Sequence, residues 1–86
     1  MSSRTPRQVA GLEVHDTDDG LVIYQMSADR VHYLNPSAAV IFELCTGEHT
    51  AEQIVDLVRI AWELDAPPSA DVDACLAQLR GDGLVA

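Results

Sequence analysis

The sequence predicts a small α+β domain in which a three-stranded antiparallel sheet is followed by three helices. Three observations lead to this prediction. Short segments rich in apolar and β-branched residues alternate with polar connections up to Asn35. The last of these segments runs directly into an apolar helical stretch. Two further stretches after Thr50 repeat apolar residues every three or four positions, which is the helical period.

The three predicted strands are joined by connections that are too short for a parallel crossover, so their neighbours are antiparallel. The first strand is clearest over residues 12–15, and polar residues ending in a glycine predict a turn at 16–20. Residues 21–26 are apolar on both faces, which predicts the central strand. Residues 31–35 are predicted to form the third strand.

The first helix is predicted to begin after Asn35, whose side chain can accept from an unpaired amide of the first turn. Pro36 suits the first helical position because its missing N–H is not needed there. The helix is apolar nearly all round, so it should be covered on most sides, and Gly47 is predicted to close it.

Two amphipathic helices complete the predicted order β-β-β-α-α-α. Thr50 and Gln53 form a capping box, and the stripe that follows extends to Leu64 before two prolines. Ser69 is predicted to cap the last helix, and a short apolar tail, residues 84–85, is predicted to dock back. Three short helices with a small sheet make a winged-helix-like layout.

The boundaries and composition predict one domain over residues 9–86, preceded by a flexible N-terminal arm over residues 1–8. The net charge is −9, with five basic residues and no lysine, which argues against nucleic acid as a partner. No apolar run approaches a membrane span and the N-terminus lacks a secretory signal, so we expect a cytoplasmic protein without a membrane partner.

The sequence has few residues that could take part in catalysis or metal binding, and their spacing does not match such a site. The histidines and cysteines show no metal-binding spacing, and no nucleophile motif or phosphate-binding glycine loop occurs. We therefore predict no catalytic residues, no metal site, no cofactor and no enzymatic activity. Cys45 and Cys75 are expected to be buried reduced thiols, with a disulfide as the alternative if their helices pack face to face.

The third strand is predicted to be the binding surface. If the second strand is central, the third has an open edge, and residues 31–35 contain no lysine and no proline that would protect it within the strand. Such an edge can accept a peptide by strand addition. The alternative is that the C-terminal tail or a second chain covers it. His32 is expected to face solvent, with a peptide-facing position as the alternative.

The stretch LNPSAAVIFELCTGEHTAEQIVDLV, followed by VDACLAQLRGDGLV, resembles the PqqD family, also called the RiPP recognition element. The resemblance covers residues 9–86. It departs from the family pattern at Phe42, where tryptophan is frequent, and at Thr46, where an acidic residue is frequent. The residues that carry the resemblance are Leu34, Asn35, Gly47, Thr50, Ile54, Val55, Asp73, Leu76, Leu79, Gly83, Leu84 and Val85.

The resemblance implies a non-catalytic adaptor that binds the leader of a ribosomally made precursor peptide and presents it to a modifying enzyme, often a radical SAM protein. The leader would add to the third strand and lie in a groove against the third helix. A dimerisation module, with a homodimer as its state, and an acidic winged-helix protein-interaction domain remain the alternatives. The implied peptide-binding residues are Val31, His32, Tyr33, Leu34, Val72, Asp73, Leu76, Leu79 and Arg80.

Overall fold

Three antiparallel strands precede three helices in the computed structural model of the protein, which describes residues 5–86. The predicted element order and the winged-helix-like α+β class are confirmed. Within the described residues, no helix is both long enough and apolar enough to cross a membrane. The elements are β1 (Leu12–Thr17), β2 (Gly20–Gln25), a short 3-10 helix (Met26–Ala28), β3 (Arg30–Leu34), α1 (Pro36–Leu44), α2 (Ala51–Ala61) and α3 (Ser69–Gly81).

The sheet has the order β1-β2-β3, so the prediction of a central second strand is confirmed. The β1–β2 turn is tighter than predicted, because Thr17 still pairs with Gly20 and only two residues lie between them. The Thr17 hydroxyl stabilises this turn by accepting from the Asp19 amide at 3.2 Å and donating to the Gly20 carbonyl at 3.2 Å.

The two faces of the sheet have different surroundings. Leu21, Ile23 and Leu34 point to the inner face, where they are buried in the core with the helices. Val31 and Tyr33 lie on the outer face and are exposed. The molecule measures 38 × 35 × 18 Å, and its short dimension accommodates about one sheet and one helix layer. The outer face therefore has no covering layer from the described chain.

Helix α1 forms the centre of the domain. The Asn35 side chain accepts from the Ala38 amide at 2.9 Å and Pro36 occupies the first turn, as predicted. Phe42 and Ile41 are buried against the sheet and the other helices. The helix ends at Leu44 with Cys45 as its C-cap, so the prediction that Gly47 closes it is wrong. Gly47 lies two residues beyond the cap, and its amide donates to the Pro6 carbonyl at 2.9 Å.

Helix α2 begins with the predicted capping box, in which Thr50 and Gln53 bond to each other's backbone amides. It ends at Ala61 and does not reach the predicted Leu64. Glu63 adopts a left-handed conformation with φ 51°, and the Leu64 amide donates to the Arg59 carbonyl at 2.9 Å. A hydrogen bond from an amide to the carbonyl five residues earlier is typical of the end of a helix. Leu64 therefore does not continue the apolar side of α2, as its spacing predicts.

Helix α3 starts differently from the prediction and ends as expected. The N-cap position is Pro68, without a side-chain hydrogen bond, and Ser69 is the first helical residue, so the predicted Ser69 cap is wrong. At the other end the Leu84 amide donates to the Leu79 carbonyl at 3.0 Å. Leu84 and Val85 are buried, which confirms the predicted docking of the tail.

The N-terminal segment differs from the predicted flexible arm over residues 6–8. Pro6 is fully buried. Arg7 forms a backbone bridge with Thr46, and Gln8 forms one with Val85. These partners are distant in the sequence, so no local pattern signals the contact, and residues 6–8 belong with the folded domain. Residues 1–4 lie outside the described residues.

Candidate functional site

The hydrogen-bonding direction of each β3 residue follows from the β1–β2 turn. Thr17 and Gly20 must be a hydrogen-bonded pair, because the other kind of antiparallel pair would require a bond between the adjacent residues 18 and 19. Backbone groups point alternately to the two sides of a strand. Gly20 therefore bonds towards β1, and Leu21 and Ile23 bond towards β3.

It follows that Leu34 and His32 use their backbone groups to pair with β2, through Leu21 and Ile23. The N–H and C=O groups of Val31 and Tyr33 consequently point to the open edge. The C-terminal tail does not cover this edge, because Val85 pairs with Gln8 instead. Within the described residues, β3 thus presents an unpaired edge.

A cavity of about 390 Å³ opens where β3 meets the helices. Asn35, immediately after β3, forms part of its wall, and the rest comes from α1, from α2 and the segment that follows it, and from α3 with the proline before it. Most of the wall is apolar, which suits an apolar side chain. The lining residues are Asn35, Ser37, Ala38, Ile41, Val58, Trp62, Leu64, Pro68, Asp71, Val72 and Cys75.

At the other end of β3 a polar cluster joins the sheet to the end of α3. Nε2 of His32 donates to Oε1 of Gln25 at 2.9 Å, and Nδ1 of His32 lies 4.0 Å from a carboxylate oxygen of Asp82. Gln25 in turn donates to the Gly83 carbonyl at 3.3 Å, and Gln78 donates to Asp82 at 3.2 Å. The His32 side chain is only 10% exposed, so the expectation that it faces solvent is wrong.

The apolar cavity and the polar cluster each combine a residue of β3 or its end with residues of α3 or its end, and we call the surface between these two sites the β3–α3 groove. Asp71 and Cys75 line the cavity, and Gln78 and Asp82 belong to the cluster. The four residues follow one another at helical spacing along one side of α3, where Asp82 is the C-cap directly after the last helical residue. The unpaired edge of β3 lies alongside this groove, with one apolar end and one polar end.

The structure brings only some of the predicted binding residues to this groove. The His32 side chain and the backbone groups of Val31 and Tyr33 form its β3 side, whereas the side chains of Val31 and Tyr33 lie on the outer face of the sheet. Val72 reaches the cavity wall. Leu34, Leu76 and Leu79 are buried in the core together with Val72. Their role in binding stays a prediction. Because these side chains are buried, they would act by fixing the positions of β3 and α3 and not through exposed side chains.

Asp73 and Arg80 lie on other sides of α3. Asp73 lines a separate cavity with residues of α2, including Glu52 and Asp56. Arg80 lines a surface cavity with Arg7 and the C-terminal Ala86. The structure does not bring either side chain to the cavity beside β3, and their predicted role in peptide binding has no support from its geometry.

Trp62, Leu64 and Cys75 line the groove cavity, and sequence reasoning missed them as site residues. Trp62 and Leu64 continue the spacing of the buried residues of α2. Because the helix ends at Ala61, they do not lie on its buried side. Pro67 and Pro68 place the helix end before residue 66, and no residue between Ala61 and Leu64 signals the earlier end in the sequence.

The two thiols are free, and both are held in the protonated form at neutral pH. Burial, followed by the proximity of the Cys75 thiol, raises the pKa of Cys45 to about 11, although the Arg80 guanidinium opposes the shift. Burial also raises the pKa of Cys75, which is half-buried and not fully buried as predicted. Among residues 5–86, no three histidine, cysteine or acidic side chains are arranged to hold a metal ion.

Alkylation with iodoacetamide should therefore be slow and should begin at Cys75. At pH 7.5 a pKa of about 11 leaves Cys45 about a hundredfold less thiolate than the unperturbed value of 9.0. Cys75 should react first because it lines an open cavity. Peptide mapping by mass spectrometry measures both rates, with the urea-unfolded protein as the control. Equal rates in the folded protein would contradict the described burial.

Comparison with known proteins places the chain among related folds. A chain described as lasso peptide synthetase B1 complexed with the leader peptide is similar with a TM-score of 0.78 and 20% identity, over 95% of this chain and 98% of that chain. TbiB1 in complex with the TbiA(beta) leader peptide is similar with a TM-score of 0.79 and 20% identity, over 92% and 93% of the two chains. At this identity the similarity establishes the shared fold. No curated protein matches the chain.

The family model for coenzyme PQQ synthesis protein D (PqqD) matches residues 20–85. This match includes β2, β3 and all three helices, and with them the open edge and the groove. The resemblance noted in the sequence is thereby confirmed, and the chain belongs to the PqqD family.

Proposed function

We propose that this protein is a non-catalytic adaptor that binds the leader segment of a ribosomally synthesised precursor peptide and presents the peptide to a modifying enzyme. The observation that carries the proposal is the unpaired edge of β3 beside the β3–α3 groove. Two solved proteins with this fold are complexes with leader peptides, which adds support.

The edge supplies affinity through the backbone. Val31 and Tyr33 offer two N–H donors and two C=O acceptors, and a peptide strand running antiparallel to β3 satisfies all four. Backbone pairing is insensitive to sequence, so these bonds bind any extended segment that can reach the edge.

The groove supplies selectivity through side chains. In an added strand every second residue points to the inner face, where it meets the groove. A residue near the Asn35 end meets the apolar cavity, and one near the Arg30 end meets His32 and Asp82. We therefore expect leaders with an apolar residue at the first of these positions and a polar residue at the second.

We propose two classes of enzyme as the partner that modifies the peptide. A radical SAM protein is one class that we propose, because such proteins often serve as partners in this family. An enzyme of lasso peptide synthesis is a second, because one structural neighbour with this fold is described as lasso peptide synthetase B1. Affinity purification of the tagged protein from its native cells, followed by mass spectrometry, distinguishes them. Recovery of neither class would contradict the adaptor part of the proposal.

Substitution of Tyr33 by proline is expected to weaken peptide binding at least tenfold, which is about 1.4 kcal/mol. Proline removes the N–H that points to the open edge, and it leaves the β2 side of β3 intact. Selection from an mRNA-displayed library of random peptides supplies the ligand. Isothermal titration of the selected peptide should give a Kd of about 1 μM or tighter for the natural sequence.

Val14→Pro is the matched control, because the Val14 N–H points to the open edge of β1 by the same alternation. Both variants must show the native circular dichroism spectrum. Equal affinity for the natural sequence and folded Tyr33→Pro would refute strand addition at β3.

Dimerisation through the same open edge is the second candidate, and the exposed Val31 and Tyr33 side chains favour it. Light scattering separates the two functions. A dimer that persists when the selected peptide is bound, and that Tyr33→Pro dissociates, would establish the dimerisation module instead of the adaptor.

A further inference from the structure

The outer face of the sheet carries an apolar and aromatic surface next to the open edge. Val22 faces Tyr33 across the strands, and Tyr24 faces Val31. We call these four residues the outer platform. Val31 is 66% exposed and Tyr33 is 58% exposed, and both belong to the strand at the edge. The exposure is therefore greatest on the side where an added strand would lie.

Hydrogen bonds hold both tyrosine rings of the outer platform in place. The Tyr24 hydroxyl donates to a carboxylate oxygen of Asp29 at 3.0 Å, in the β2–β3 connection. The Tyr33 hydroxyl donates to the Asp19 carbonyl at 2.9 Å, in the β1–β2 turn. Each ring is thus attached at its hydroxyl end to a turn of the sheet. Rings fixed before binding lose less entropy when a ligand covers them.

Strand addition determines what meets the outer platform. Residues directly opposite each other in an antiparallel pair point to the same face of the sheet. The peptide residues that hydrogen-bond with Val31 and Tyr33 therefore direct their side chains to the outer face, beside those two residues. The peptide residues between them point into the groove. An added peptide is in contact with the protein on both faces.

We propose that the outer platform is a second specificity surface, which recognises β-branched or aromatic side chains at the outward-facing positions of the bound peptide. This proposal rests on the function proposed above. Aromatic and β-branched residues across from each other stabilise a strand pair. Val31 and Tyr33 belong to the strand with the open edge, so the ligand that covers the outer platform is the peptide bound at that edge.

The proposal changes the class of ligand that the protein selects. Recognition through the groove alone constrains every second residue of the peptide, whereas recognition on both faces constrains consecutive residues. The preferred segment is then one of high β-propensity throughout, with apolar or aromatic residues at the outward positions. Such a segment can pre-form an extended conformation more readily than an alternating one.

The test compares peptides selected by the natural protein with those selected by Val31→Thr and Tyr33→Thr together. Threonine keeps the backbone N–H and has a high β-propensity, so strand addition stays possible, while both apolar or aromatic side chains of the edge strand are removed. From an mRNA-displayed library of random peptides, we expect the double variant to lose the enrichment of β-branched and aromatic residues at one alternating set of positions. Its affinity for the peptide selected by the natural protein should fall about five- to tenfold.

Two further variants test which set of enriched peptide positions contacts the outer face of the sheet and which set contacts the groove. His15→Thr changes the same face of the sheet at β1, away from the β3 edge, and should leave both sets of enriched positions unchanged. Cys75→Phe partly fills the groove cavity and should alter the other alternating set.

Each outcome is decisive. Unchanged enrichment and affinity in the Val31→Thr, Tyr33→Thr variant would overturn the outer platform as a specificity surface and leave peptide binding at β3 standing. Failure of the natural protein to enrich any peptide would instead overturn the proposed function, and this inference with it.

Discussion

Deletion of residues 1–8 is expected to lower the free energy of unfolding by about 3 kcal/mol. The structure shows Pro6 buried, and the backbones of Arg7 and Gln8 hydrogen-bond to residues from distant parts of the chain. The Gln8 amide donates to the Cys45 carbonyl at 3.0 Å, and its side chain donates to the Phe42 carbonyl at 3.0 Å. Each bond contributes about 1 kcal/mol, and the restored freedom of the few deleted residues offsets part of the loss.

The control for this deletion removes residues 1–4 alone and so keeps Pro6, Arg7 and Gln8. Urea unfolding followed by circular dichroism gives both free energies. A flexible arm predicts the same midpoint for the two deletions. If the midpoints coincide, the segment contributes nothing to stability and the bridges to Thr46 and Val85 are not important for the fold.

Gly20→Ala is expected to destabilise the protein by about 3 kcal/mol and to weaken peptide binding as well. Gly20 has φ 148°, a conformation that residues with a side chain rarely adopt. An added Cβ would collide with the Leu34 carbonyl oxygen and lie 3.1 Å from the carbonyl carbon of Asn35. Both neighbours are backbone atoms of the β3–α1 junction, so relief requires moving the strand that carries the open edge.

Gly11→Ala is the matched control for Gly20→Ala. Gly11 also has a positive φ, at 80°, but an added Cβ meets no atom of the described chain within 4 Å. It therefore measures the cost of placing a side chain at a positive φ without a steric collision, about 1 kcal/mol. Thermal unfolding of the two variants, with titration of the selected peptide, checks both effects. If the Gly20→Ala protein is no less stable than the Gly11→Ala protein, the collision is relieved without moving β3.

The element order is predictable because independent local signals agree. Asn35 and Pro36 mark the start of α1 through capping and a fixed φ, and the Thr50 capping box marks α2. The two-sided apolar pattern of β2 predicts its central place, and the central place of β2 predicts the open edge of β3. These features depend on neighbours in the sequence, so sequence reasoning reaches them.

The remaining features depend on contacts between distant residues. The pairing of Gln8 with Val85 has no local signature. On α3, apolar residues at helical spacing identify the buried side of the helix, which contains Leu76. The same pattern does not identify the side of the helix that borders β3. That side contains Cys75 and Gln78, whose role appears only when β3 and α3 are placed side by side.

The pairing of Arg7 with Ala86 gives the domain a single point of attachment. Their backbones bond in both directions, at 2.8 and 3.3 Å, so the chain enters and leaves the fold at neighbouring positions. A linker from either side therefore begins at the same place on the surface. Fusion to a modifying enzyme through the front or the back of the chain would hold the domain in a similar orientation, and domains whose ends lie close together also tolerate insertion into loops of other proteins.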